Sequence, residues 1–243
     1  MMGVRRLPGT GPGGRRERNV SMTNILLEGY DLNAPWLFGT LKRYLRPCHR
    51  VAVIALAFRD ALVKNADDWN ALYSKENGCW YEGIVGAFAD YGIAEEQIAF
   101  VDYFTDTPAS AAEKIENADV LYFPGGLPDR MMDRIREMGL VGPIARHGGL
   151  VMGYSAGAVI QLREYHLSPD DDYPGFGYYE GLGLTDGFYL EVHYEGVPAQ
   201  DEAIRRVLRE RGATVYATKA LRGALVVDGG RIEPVGEVLR FDP

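Results

Sequence analysis

From residue 23 onward, short apolar runs alternate with segments in which apolar residues recur every three or four positions. The runs NILLEG (24–29), RVAVIAL (50–56), QIAFVDY (97–103), DVLYFPGG (119–126) and GLVMGYS (149–155) are rich in Val, Ile, Leu or Tyr. Each ends near a glycine or a polar cluster, as buried strands do. Between them, APWLFGTLKRYL (34–45) sets Trp36, Leu37, Leu41 and Leu45 on one side of a helix. CWYEGIVGAFADYG (79–92) predicts a helix closed by Gly92 at its C′ position. SAAEKIEN (110–117) begins with Ser110 as N-cap and Glu113 three residues on, a capping box. PDRMMDRIREMG (128–139) places Pro128 at the first helical position and Gly139 at the end. Further on come a strand in FYLEVHY (188–194), a helix in QDEAIRRVLRERG (200–212) and a strand in TVYAT (214–218). The last feature, ALVVDGGRIEPV (224–235), predicts a hairpin turning at Gly229-Gly230.

Strand–helix–strand alternation with nearly all-apolar strands predicts an α/β fold. It is a three-layer, doubly wound, mostly parallel sheet of flavodoxin-like type, with helices on both faces and a C-terminal β-hairpin. No repeat or internal linker interrupts residues 22–243, which are expected to form a single α/β domain. Residues 1–21 differ. They hold five arginines against one glutamate and are dense in glycine and proline, so they predict a disordered basic tail. No apolar segment there resembles a secretory signal.

The whole chain of 243 residues carries a formal charge of −8, which argues against nucleic acid as a partner. No apolar run is long enough to span a membrane, so none is expected as a partner. Cys48 and Cys79 stand far apart in no metal-ligand spacing; they predict a reducing, cytoplasmic setting, no disulfide and no metal.

Candidate chemistry centres on GYSAGA, residues 153–158. Ser155 fits the Gly-x-Ser-x-Gly elbow, in which a sharp strand-to-helix turn holds the serine in a strained conformation with its Oγ exposed. The alternative is a serine that only N-caps the following helix. A strand before and a helix after favour the nucleophile. A nucleophilic serine needs a base, and four histidines are available. His49 and His147 read as solvated connections and His166 as a surface residue. His193 ends an apolar strand, where parallel sheets present functional groups.

With these residues and the pair Gly125-Gly126, the chain resembles the serine peptidases of the aspartyl dipeptidase (dipeptidase E) type, which include cyanophycinases. These share the class I glutamine amidotransferase-like fold. GYSAGA matches the family's G-x-S-A-G-A motif, GLGLTDGFYLEVH (181–193) its GLGL…H segment, and YFPGGLPD (122–129) its glycine loop. The resemblance implies a serine peptidase acting on a short peptide without a cofactor. Ser155 would be the nucleophile and His193 the general base. The amides of Gly126 and Ala156 would form the oxyanion hole, and Gly125 and Tyr154 would touch substrate. Known members favour Asp-X dipeptides or aspartate-rich polymers, but no residue here fixes that preference. A homodimer is the default expectation for oligomeric state.

The sequence departs from the pattern at two places. Leu127-Pro128 follows the glycine pair, and the segment matching the family's structural Glu, KALRGALVV (219–227), holds no carboxylate. The family also carries an aspartate in the loop after the nucleophile helix, two residues before a proline, and the resemblance implies that the matching loop SPDDDYPGFGYYEG (168–181) supplies the orienting acid. There Asp172 precedes Tyr173-Pro174, with Asp170 and Asp171 as neighbours and Glu191 in reserve. An amidotransferase-like domain that has lost catalysis, and serves binding or regulation, is the alternative. An α/β-hydrolase esterase is excluded because no histidine follows His193. A glutamine amidotransferase proper would need cysteine in place of Ser155.

Overall fold

Strands without a polar face need cover on both sides, and the structure, a computed structural model that describes residues 22–243, provides it. The basic tail expected at 1–21 lies outside the described residues. Strands β1 (Thr23–Leu27), β2 (Val51–Ile54), β3 (Ile98–Val101), β4 (Val120–Phe123) and β5 (Leu150–Tyr154) run parallel in the order β3-β2-β4-β5-β1. Successive side chains alternate between two cores. Ile25 and Leu27 pack with helices α1 (Pro35–Leu41), α2 (Ala66–Tyr73) and α3 (Tyr81–Ala89). Leu26, Ile54, Phe123 and Val151 face α4 (Pro108–Glu116), α5 (Pro128–Glu137), α6 (Val141–Ala145) and α7 (Ala156–Val159).

The later strands are β6 (Glu164–Leu167), β7 (Gly177–Glu180), β8 (Phe188–Glu191), β9 (Thr214–Asp228) and β10 (Arg231–Phe241), with α8 (Pro198–Arg211) between β8 and β9. The long β9 serves two partners. Its first part pairs parallel with β8, and its last part pairs antiparallel with β1. The β9–β10 hairpin turns at Gly229-Gly230, both at positive φ (55° and 82°), where glycine carries no steric penalty.

The doubly wound sheet and terminal hairpin follow the sequence pattern, with local differences. The cap of α4 is Thr107, not Ser110; Ser110 is its N3 partner, so the reciprocal box lies one turn earlier. Helix α2 was not expected, although Asn65 accepts from the Asp68 amide at 3.0 Å in ordinary N-cap fashion. Part of the segment read as an acidic loop pairs as the β6–β7 hairpin.

Candidate active site

Strands β4, β5 and β1 are neighbours, so their carboxyl ends deliver Gly125-Gly126, Ser155 and Glu28 to one place. Leu27 is in register with Tyr154, and the Ser155 amide donates to the Leu27 carbonyl at 2.9 Å. Ser155 has φ 52° and ψ −114°, a conformation L-residues avoid. Its flanking glycines are sterically required. A Cβ on Gly157 would run into the Phe123 carbonyl, and one on Gly153 would press on Gly157. The helix that follows, α7, is a single turn of four residues. Any help to a negative charge here therefore comes from individual amides rather than from a long helix dipole.

His193 follows β8. The Tyr194 amide donates to the Thr218 carbonyl at 2.8 Å, and Gln200 Nε2 donates to the His193 carbonyl at 2.9 Å. These bonds hold His193 at φ 55° and place its Nε2 2.9 Å from Ser155 Oγ. Its Nδ1 faces Glu28, whose Oε1 lies 3.9 Å away. Glu28 is 1% exposed. Its Oε2 accepts from the backbone amides of Arg222 and Gly223 at 3.1 and 3.2 Å. Those amides follow Ala220 and Leu221, both at positive φ. The four non-glycine residues with positive φ among the described residues (Ser155, His193, Ala220 and Leu221) thus gather around one carboxylate, one imidazole and one hydroxyl.

The expected acids are engaged elsewhere. Asp172 gives both carboxylate oxygens to Arg59, and the hydrogen bonds from that guanidinium hold its pKa below the usual carboxylate value. Asp170 accepts from the amides of Asp172 and Tyr173 at 2.8 and 2.7 Å. Glu191 is buried with its Oε2 2.7 Å from His166 Nε2 and from Ser168 Oγ. The surface reading of His166 is thereby corrected: β6 carries it inward. His147 is also buried rather than solvated, and burial lowers its pKa.

Gly126, at φ 139°, has no room for a Cβ beside the Ala57 carbonyl, and Gly125 is closed over by the Tyr154 ring. Ala156 is 2% exposed and begins α7. Two cavities meet at Ser155, and Gly126 and His193 border both. Cys48 and Cys79 are free and exposed. Among the described residues no cluster of three or more His, Cys, Asp or Glu is set to hold a metal, and no helix is long and apolar enough to cross a membrane.

The model of peptidase family S51 matches residues 73–235. The chain belongs to this family. S51 membership makes it a serine-type peptidase. Several solved structures share its fold. One, named "Putative Peptidase E Protein", from Listeria monocytogenes EGD-e, is 18% identical over 92% of this chain and 99% of its own, with a TM-score of 0.59. A peptidase from an acI-B1 actinobacterium is 17% identical over 91% and 94%, with a TM-score of 0.61. No curated protein matches the chain. Within this S51 fold, sequence reasoning missed Glu28, Gln200 and Arg59. A faint signal existed for Glu28 alone: a carboxylate one residue past the first apolar strand, at the end where parallel sheets place ligands.

Proposed function

We propose that the chain hydrolyses a short peptide through an acyl-enzyme formed on Ser155, with His193 as general base and Glu28 as the acid that orients it. Ser155 Oγ attacks the scissile carbonyl and passes its proton to His193 Nε2. The carbonyl oxygen, now negative, takes hydrogen bonds from the amides of Gly126 and Ala156. His193 returns the proton to the leaving amine, and water then releases the acyl group by the same steps in reverse. Glu28 Oε1 lies 3.9 Å from His193 Nδ1, beyond direct hydrogen-bond length; from there its charge favours the tautomer that leaves Nε2 free as acceptor and offsets the imidazolium charge.

The observation that carries this reading is the 2.9 Å contact between Ser155 Oγ and His193 Nε2, made by residues 38 apart in sequence. Both stand at positive φ, and strain of this kind persists only where the surroundings enforce it. The loss-of-catalysis alternative drew on a missing acid, and Glu28 supplies a candidate for that position. The test is covalent labelling with a fluorophosphonate, read by intact mass. One adduct is expected on the wild-type chain and none on Ser155→Ala. Equal labelling of both, or an unlabelled wild type at high dose, refutes the reading.

A further inference from the structure

Ser155 sits on the wall between two cavities of opposite character. The first, about 620 Å³, is walled by Tyr30, Phe58, Leu62, Trp80, Tyr154 and Leu221. The second, about 410 Å³, is bordered by Asp170, Asp172, Glu191 and Glu195, with no lysine or arginine among its described lining residues. Seven large apolar residues are exposed among those described, and four of them, Tyr30, Leu62, Trp80 and Leu221, rim the first cavity. Apolar groups scattered singly over a surface need no explanation, but a cluster around a nucleophile does.

The aromatic wall is continuous. Trp80 meets Tyr30 edge-on with centroids 6.1 Å apart, and Tyr30 meets Tyr154 at 5.9 Å. Phe58, also on the lining, is braced by a buried arginine. Arg134, 4% exposed, donates to the carbonyls of Leu56 and Phe58, pairs with Asp60 at 2.5 Å and lies 3.6 Å from the centre of the Phe58 ring. The cavity is thus preformed, as small-molecule sites are.

Its charges are already committed. Arg59 is the one cation among the described lining residues, and both arms of its guanidinium are bonded to Asp172. Asp68 accepts from the Lys64 amide at 2.9 Å, and Glu28 is taken up beside His193. A carboxylate entering either cavity would lose hydration without gaining an uncommitted cation.

We infer that the first cavity receives a large neutral side chain, aromatic or branched aliphatic, from a residue flanking the scissile bond, and that an aspartate is disfavoured on both sides of it. This deepens the serine-peptidase reading and rests on it. A well-matched apolar group in such a pocket separates substrates by about 10–200-fold.

The experiment uses the full chain and peptides of matched length, in which the residue on each side of the cleaved bond is varied in turn among Phe, Leu, Asp and Lys. On one side, Phe or Leu is expected to exceed Asp in kcat/KM by at least about tenfold. Trp80→Ala should shrink that ratio on the order of tenfold, chiefly through KM. Leu221→Arg, which brings an uncommitted cation to the rim, should also narrow it; melting curves show whether either variant is misfolded. A wild-type chain that labels on Ser155 yet prefers Asp overturns this inference and leaves the peptidase reading standing. Unchanged ratios in both variants overturn it as well. A chain that neither labels nor hydrolyses any peptide overturns both.

Discussion

Replacing Glu28 by glutamine tests the proposed triad at its least expected member. The substitution keeps shape and keeps an oxygen for the Arg222 and Gly223 amides, which now hold Oε2 at 3.1 and 3.2 Å. With that oxygen so engaged, the new NH2 must face His193 Nδ1. Two effects follow. The charge that offsets the imidazolium is lost; at 3.9 Å a full pair is worth about 4 kcal/mol at an effective dielectric of 20 and about 1 kcal/mol in water. His193 is 45% exposed, so an intermediate value of about 2–3 kcal/mol applies, or roughly 30–150-fold in rate. The amide also favours the tautomer with its proton on Nε2, which cannot accept from Ser155; the like change in a Ser-His-Asp triad costs about 10⁴. Because Nδ1 and Oε1 stand 3.9 Å apart rather than in a hydrogen bond, only part of that tautomer penalty applies, and kcat is expected to fall by about 10²–10³ with a melting temperature close to wild type. The assay is initial-rate peptide hydrolysis at saturating substrate from pH 6 to 9, with the fluorophosphonate labelling rate measured in parallel. Asp172→Asn is the control, because its carboxylate faces Arg59, and less than tenfold is expected. A Glu28→Gln enzyme within threefold of wild type across that range, or an Asp172→Asn enzyme more damaged than it, would refute the reasoning.

The other expectations concern the base, the elbow and the buried histidine. His193→Ala should lower kcat by on the order of 10³ while KM moves little, as removal of a triad base does; a drop under tenfold would transfer the role elsewhere. Gly157→Ala should destabilise by roughly 1–3 kcal/mol or more, since its methyl would meet the Phe123 carbonyl; an unchanged melting temperature would disprove the close approach. His147 is depressed in the folded chain by burial, so its contribution to stability is complete above its unfolded pKa of about 6.5 and is lost as pH falls below that toward the folded value. His147→Gln should therefore flatten the decline of melting temperature between pH 7 and 5, and parallel declines in the two proteins would show that the ring stays solvated.

The features legible in the sequence are those enforced by local sterics or by burial on two faces. Ile25, Leu26 and Leu27 are each buried, on alternating sides, and that double burial is what an unbroken apolar run encodes. Gly153 and Gly157 are legible because two arms of one turn touch, and Gly229-Gly230 because the hairpin needs two positive φ values. Polar partners set by strand order are another matter. Asp172 stands in a loop with other acids, and nothing near it in sequence reveals that Arg59, 113 residues away, takes its charge. His166 lies in a short polar stretch, and only the β6–β7 pairing and Glu191 make it an interior residue.

The missing acid shows the same limit most clearly. The resemblance places a glutamate in the segment that here reads KALRGALVV, and no carboxylate is present there. In the folded chain that segment runs antiparallel beside β1, with Leu27 opposite Ala224. One residue further, the Glu28 amide donates to the Gly223 carbonyl at 3.0 Å. Directly opposed residues on antiparallel strands project to the same face, so a carboxylate from either strand can reach the same point. At 223 a side chain has no space, because a Cβ would lie 2.6 Å from Thr218 Cβ and from the Glu237 carbonyl oxygen. The strand that cannot carry the acid instead supplies the two amides that hold it. Glu28 and Gly223 are thus neighbours across one rung of a β-ladder although they stand 195 residues apart in sequence, and only strand order brings the carboxylate to the amides that hold it.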